Sequence, residues 1–453
     1  MGEIKQEQIE KIKKKVIQLV MAKEPKSKIY HLVSKWLTQK FEFKCIVGTA
    51  SKDPIYVYEN GYFVEKGESF IAKYCEQILE IGADNNAVNQ IIQKIKRLKQ
   101  ATRNDLGCKD LNLICLENCV LNMRTKETFK HDPTYNFICK IPIRYNENSN
   151  CHKFENWLAE ILYERDIKTC QEWFGFMLYR RYHEKAALVL IGPKHTGKTL
   201  FLNILEAFAG ENNTSAVDFH DIIGNRFSSN NLANKLLNIN DELDASDLKS
   251  TVMFKRLLGR SLIPAEAKNQ TPYKFINYAK LVFATNKMPL PSTIDDPASY
   301  YDKFITFEFD NVFDKDNPKT KKDLDIELTS QNELSGILNW AMVGFQRLMT
   351  HNRFNKCQHW EDIEKIMKQS GNTVSAFESQ CCERDDGKLV SKQKMYDLYC
   401  QFCDLNEKNI EVDLVGFGRK FKPSYAVNKN NGPTDYKGWL NIKVNEANML
   451  KLE

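Results

Sequence analysis

Apolar positions near the start of the chain recur every three or four places, as the buried stripe of an amphipathic helix does. Ile9, Ile12, Val16, Leu19 and Val20 predict a helix over 5–22, and Ile29, Leu32, Val33, Trp36 and Leu37 a second over 27–41. Between 55 and 65 the pattern changes to two β-rich runs flanking Asn60-Gly61, a pair suited to the positive φ angles of a two-residue hairpin turn. A further helix is predicted over 86–100, and 111–137 reads as short strands and turns.

From Phe154 to Leu178 the spacing predicts a helix pair, carried by Phe154, Trp157, Leu158, Ile161 and Leu162 and then by Trp173, Phe174, Met177 and Leu178. Three short, wholly or mostly apolar runs follow, at 187–191, 235–240 and 280–285. Runs of this kind separated by helical segments are what a parallel sheet covered on both faces requires, so 185–310 reads as an α/β core. Residues 314–323 form a charged break, and 333–349 predict a strong amphipathic helix. Past 355, two helical stretches precede a Gly/Lys/Asn-rich tail and a strand at 438–444, an order that suits a small winged-helix module.

Composition narrows the class. The 453 residues are 42% hydrophobic and 27% charged, a globular balance with length for two to four domains. Lys and Arg number 65 against 59 Asp and Glu, a net +6 that permits a nucleic-acid partner without requiring one. No apolar run is long enough to span a membrane, and the charged start lacks the apolar centre of a signal peptide. The expectation is therefore a cytoplasmic protein with its thirteen cysteines reduced. Cys400 and Cys403, with Cys381 and Cys382 upstream, make half of a zinc pattern, but Tyr396, Tyr399, Cys400 and Cys403 share one helical face and read as core. In the tail, Lys388, Lys392, Lys394, Arg419, Lys420, Lys422, Lys429 and Lys437 alternate with aromatics, which suits a DNA-binding surface and a plain solvated one about equally.

The most specific chemical signal is Gly192-Pro193-Lys194-His195-Thr196-Gly197-Lys198-Thr199, which follows one apolar run and opens a helical one. Glycines let such a loop curl so that backbone N–H groups converge on phosphate oxygens, and the helix N-terminus adds partial positive charge. Lys198 is placed to reach the β- and γ-phosphates and the Thr199 hydroxyl to ligate Mg²⁺, so ATP and Mg²⁺ are the expected cofactors. At the end of the 235–240 run, Asp241 and Glu242 are expected to hold the metal and to polarise the attacking water, respectively. Asn286, closing the third run, could hydrogen-bond the γ-phosphate or the lytic water, and taken by itself it reads as the start of the turn into Met288-Pro289.

This order of elements resembles the superfamily 3 helicases, most of all the helicase module of phage, plasmid and poxvirus primase–helicase proteins. The resemblance extends upstream through LENCVLNM, HDPTYNF, IPIRYN and WLAEIL and downstream through ELSGILNWAMVGFQRL. It implies an α/β fold with a P-loop ATPase core of the AAA+ type, flanked by a largely helical N-terminal domain and a C-terminal winged-helix-like domain. The implied boundaries are 1–150 for an α+β domain, 151–350 for the ATPase and 355–453 for the last module. Gly192, Gly197, Lys198 and Thr199 match Walker A, Asp241 and Glu242 match Walker B, and Asn286 matches the sensor of motif C. Phe254 through Phe275 matches a segment whose β-hairpin projects into a ring's channel, with Lys255, Lys268 and Lys274 as DNA contacts. Where the family usually carries an arginine finger for the neighbouring subunit, this chain offers Lys303, with Arg256 and Arg260 as substitutes, and Gly259-Arg260-Ser261 departs from the usual hairpin base.

The resemblance implies a DNA helicase that assembles as a ring, expected to be a hexamer, and moves along single-stranded or forked DNA. Residues 1–150 hold no strand-borne carboxylate pair of the kind a primase–polymerase needs. The expectation is therefore either a helicase-only protein or a piece of a longer polypeptide, with a primase or polymerase as a candidate further domain or partner. A nucleotide-switched loading protein without unwinding activity is the second expectation.

Overall fold

The computed structural model describes residues 6–47, 53–218, 221–222, 226–240, 251–266, 272–286, 303–313, 323–355, 373–405, 410, 412–423, 426–429 and 437–449. The first module contains helices α1 (Gln6–Met21) and α2 (Lys26–Lys40) and strands β1 (Phe43–Ile46), β2 (Ile55–Glu59) and β3 (Tyr62–Val64). Helices α3 (Gly67–Leu79) and α4 (Asn85–Leu98) and strand β4 (Gln100–Ala101) complete it. Its sheet runs β3-β2-β1-β4. Asn60 and Gly61 turn the β2–β3 hairpin at φ +50° and +100°, and Asp84 caps α4 by accepting from the Ala87 N–H at 2.7 Å. Ile9, Ile12 and Val16 enter the module's core, but Val20 does not: the buried stripe of α1 ends before its last turn, and Val20 stays 57% exposed.

A meander of β5 (Leu113–Cys115), β6 (Val120–Asn122) and β7 (Thr128–Phe129) comes next. Ile114, Leu116, Leu121 and Met123 join the largest core of the molecule, the one that surrounds the central sheet. That core is framed by α5 (His152–Ile161), α6 (Glu164–Leu178), β8 (Ala187–Ile191), α7 (Lys198–Ala209), β9 (Thr214–Ser215) and α8 (Arg226–Asn230). After β10 (Leu237–Asn240) and α9 (Thr251–Leu257), the pair β11 (Leu262–Ala265) and β12 (Tyr273–Ile276) forms an antiparallel hairpin. Strands β13 (Lys280–Thr285) and β14 (Phe304–Glu308) and helices α10 (Leu324–Leu328) and α11 (Gln331–His351) follow.

The central sheet has the order β14-β8-β13-β10-β9, and every pairing in it is parallel. All five residues of β8 are buried, as both-face coverage demands. One buried lysine ties this sheet to the helix before it. The Lys280 ammonium donates to the carbonyls of Tyr179 (2.7 Å), Tyr278 (2.8 Å) and Arg181 (3.3 Å), and lies 4.4 Å from the Phe176 ring. Burial pushes its pKa well below the ordinary lysine value.

Helix α11 lies on α6 at glycine contacts: a β-carbon at Gly344 would stand 2.2 Å from the Gln171 carbonyl oxygen, and one at Gly175 2.5 Å from that of Ala341. Close backbone approach lets side chains at the ends clamp the pair. Arg347 donates from Nε to the fully buried Glu172 carboxylate at 2.6 Å, and the Asn355 N–H donates to the same carboxylate at 2.9 Å. Near the other end of α11, the Glu333 carboxylate accepts from the Phe154 N–H at 2.8 Å and satisfies the first turn of α5.

The last module runs α12 (Thr373–Cys381), β15 (Cys382–Ser391), α13 (Lys392–Leu405), α14 (Leu414–Lys420), β16 (Val427–Lys429) and β17 (Gly438–Val444). Its antiparallel sheet has the order β15-β17-β16. The sequence pattern predicted helices followed by strands, whereas β15 is inserted directly after the first helix. Glu383 to Lys388 is too polar to announce a strand, and β15 is held instead by pairing with β17. Among the described residues, no helix is long and apolar enough to cross a membrane.

Candidate nucleotide site

The loop after β8 is shaped by two glycines acting differently. At Gly192 the constraint is space, because a β-carbon would stand 2.3 Å from the Phe309 carbonyl oxygen where the chain leaves β14. At Gly197 it is conformation: φ is +94°, and the residue caps α7. His195 also takes a left-handed φ of +66°, and its carbonyl accepts from the Phe313 N–H at 2.8 Å. The Thr196 side chain, 2% exposed, turns back to donate to the Pro193 carbonyl at 3.0 Å. Pro193, Lys194 and His195 stand exposed at the rim.

Lys198 and Thr199 are the first two residues of α7, where backbone N–H groups have no partner inside the helix. The Lys198 ammonium donates to the carbonyls of Gly192 and, at 2.7 Å, of Pro193, which places the charge across the mouth of the loop. Burial lowers its pKa. Thr199 is exposed and lines a cleft of about 860 Å³ between α7 and the ends of β9 and β10, shared with Asn203, Glu206, Ser215, Asp218 and Asn240. The loop is backed by contacts that have no local signature in sequence. A β-carbon at Gly197 would lie 3.6 Å from Ile161, 3.8 Å from Trp157 and 3.9 Å from Phe313. These side chains come from α5 and from the exit of β14.

Sheet register brings the other expected residues to the loop or away from it. Thr285 is opposite Ile191, and its carbonyl accepts from the Gly192 N–H at 3.2 Å, so the exposed Asn286 emerges beside the first residue of the loop. Asn240 ends β10 opposite Phe283 and opens onto the Thr199 cleft. Asp241 and Glu242 follow it and lie outside the described residues, as does Lys268. Lys303 stands at the other end of the sheet. Its carbonyl accepts from the Ala187 N–H at 2.8 Å, and five residues of β14, roughly 16 Å at 3.3 Å each, separate it from the loop end.

The hairpin expected within 254–275 is present as β11–β12, with Leu262 opposite Ile276 and Pro264 opposite Lys274. Ile263 and Ala265 face the core, while Leu262, Pro264, Lys274 and Ile276 are exposed. Lys255, Arg256 and Arg260 are exposed on and just after α9. In the last module, the aromatics that interleave with lysines are core rather than surface: Phe417 stacks on Phe421 at 5.0 Å and meets Trp439 edge-on. Tyr425 and Tyr436 lie outside the described residues. Cys381 and Cys403 are buried in that same core.

Comparisons with known proteins bear on the fold. A family described as "D5 N terminal like" matches residues 4–163, and one described as a family of unknown function (DUF5906) matches 190–299. The A form apo structure of the NrS-1 C terminal region (305–718) is similar in fold, at 13% identity over 84% of each chain with a TM-score of 0.52. A second apo structure of that region gives 15% identity over 85% of this chain and 84% of the other, also at 0.52. The likeness to these structures is one of fold. The DUF5906 match contains the phosphate-type loop and the whole β11–β12 hairpin, and the D5 N terminal like match contains α5, which backs that loop. No curated protein matches the chain by sequence.

Proposed function

We propose that the chain is an ATP-dependent DNA helicase of the superfamily 3 type, with a P-loop ATPase core of the AAA+ kind. The observation that carries the reading is the meeting of the Gly192–Thr199 loop, Asn286 and the end of β10 at one edge of a parallel sheet. With β8 to β10, β13 and β14 numbered 1 to 5, the sheet order is 5-1-4-3-2, and the inserted fourth strand sets a polar strand end between the loop and the end of β10. In this reading the loop amides and Lys198 bind the triphosphate, and Thr199 and Asp241 hold Mg²⁺, which neutralises developing phosphate charge. Glu242 orients the attacking water and Asn286 reports on the γ-phosphate.

A contribution from Lys303 would be made to a neighbouring copy, because in its own chain it stands at the far end of β14. In this reading copies assemble into a ring, a hexamer by family analogy, with nucleotide between subunits. Lys255, Lys268 and Lys274 would contact the phosphates of single-stranded or forked DNA without reading its sequence. The order helix, strand, helix, helix, strand, strand of the last module supports reading it as a winged helix, and its exposed lysines rather than its buried aromatics would meet DNA.

Strand displacement on a forked substrate tests this function. The full chain should unwind the fork with ATP and Mg²⁺, and Glu242→Gln should bind ATP yet displace no strand. ATP turnover without displacement by the unaltered chain would instead establish a nucleotide-switched loading protein.

A further inference from the structure

The hairpin that the helicase reading assigns to DNA touches a residue far from it in the chain. Tyr273, the first residue of β12, carries the Arg103 guanidinium over its ring at 3.9 Å from the centroid. Its hydroxyl donates to Asn230 Oδ1 at 2.7 Å, at the end of α8. Arg103 sits in a short turn directly after β4, braced by Asp105, which accepts from both the N–H and the hydroxyl of Thr102. Close by, the Tyr56 hydroxyl donates to Glu65 at 2.8 Å, and the Arg103 charge reaches Tyr56 and Tyr273 alike. One tyrosine thus joins the N-terminal module, the ATPase core and the hairpin.

We infer that Arg103 and Tyr273 form a latch by which the N-terminal module positions the β11–β12 hairpin for its strand. The inference rests on the hairpin being the strand-gripping element, and the period-two geometry of a strand supplies the mechanism. With Tyr273 pinned inward, its neighbour Lys274 stands on the outward face, beside Pro264 and in line with Leu262 and Ile276. Neither Arg103 nor Tyr273 meets the strand: both are positioning residues. Stacking of an exposed guanidinium on a tyrosine biases an equilibrium by about two- to fivefold, enough to preorganise the hairpin and weak enough to release whenever it moves.

Hydrogen exchange of the full chain and its affinity for a fluorescent single-stranded oligonucleotide test the latch. Arg103→Ala should speed exchange in 262–265 and 273–276 by about two- to fivefold and weaken oligonucleotide binding by the same factor, with ATP turnover in the absence of DNA unchanged. Arg103→Lys, which keeps the cation, should fall between. Tyr273→Leu should speed exchange as well, and adding Arg103→Ala to it should produce no further acceleration. Unaltered hairpin exchange in Arg103→Ala overturns the latch, including the case where binding alone falls, since Arg103 would then be touching DNA itself. Failure of the unaltered chain to bind the oligonucleotide would overturn the helicase reading, while the exchange arm still decides whether the latch exists.

Discussion

At Lys198 a single ammonium is held by two loop carbonyls and partly screened from water, and in the proposed function it would exchange those carbonyls for phosphate oxygens. Lys198→Ala should lower ATP turnover by about 100-fold or more, measured as phosphate release. At Gly192 the limit is steric. Gly192→Ala forces a methyl against the Phe309 carbonyl, and the expected outcome is a loss of about 2 kcal/mol in denaturant unfolding together with weaker nucleotide binding. The loop was legible in sequence because its residues are contiguous and its flanks are simple: a buried strand before, an apolar helix after. Its backing by Trp157, Ile161 and Phe313 was not, since those side chains arrive from segments 36 or more residues away on either side in the chain or from the exit of β14. The aromatic tail was legible only halfway. Alternation with lysine marks Phe417 and Phe421 as patterned, but a core stripe and a stacking platform have the same spacing, and burial decides for the core.

Among the elements, strands were read well where both faces are covered, as in β8 and β13, and poorly where pairing alone holds them, as in β15. The hairpin was expected within 254–275 only through the resemblance, and its docking on Arg103 depends on a contact across 170 residues of sequence that no local rule encodes. The α6–α11 pair was legible as two amphipathic helices, but the glycines that bring them together and the clamp they allow were not singled out. Glu172 is wholly buried, so removing its cation leaves a charge with only Asn355 to satisfy it. Arg347→Met should therefore cost about 3 kcal/mol in denaturant unfolding, and adding Glu172→Gln should return part of that loss.

Among the described residues, four hydrophobic clusters are joined by a few long-range polar contacts, and the Gly192–Thr199 loop is flanked by Ile191 and Phe201 of the most populous one. The N-terminal meander contributes to that core, which makes the region before α5 a structural neighbour of the central sheet rather than a free appendage. If copies assemble around nucleotide, adding a non-hydrolysable ATP analogue with Mg²⁺ should raise the sedimentation coefficient, and chelating the Mg²⁺ should reverse most of the change. The measurement that bears most directly on the account is ATP hydrolysis by the full chain, with and without single-stranded DNA, alongside Lys198→Ala. The account predicts Mg²⁺-dependent turnover, stimulated by the DNA and abolished by the substitution. Equal turnover in the two proteins would contradict it.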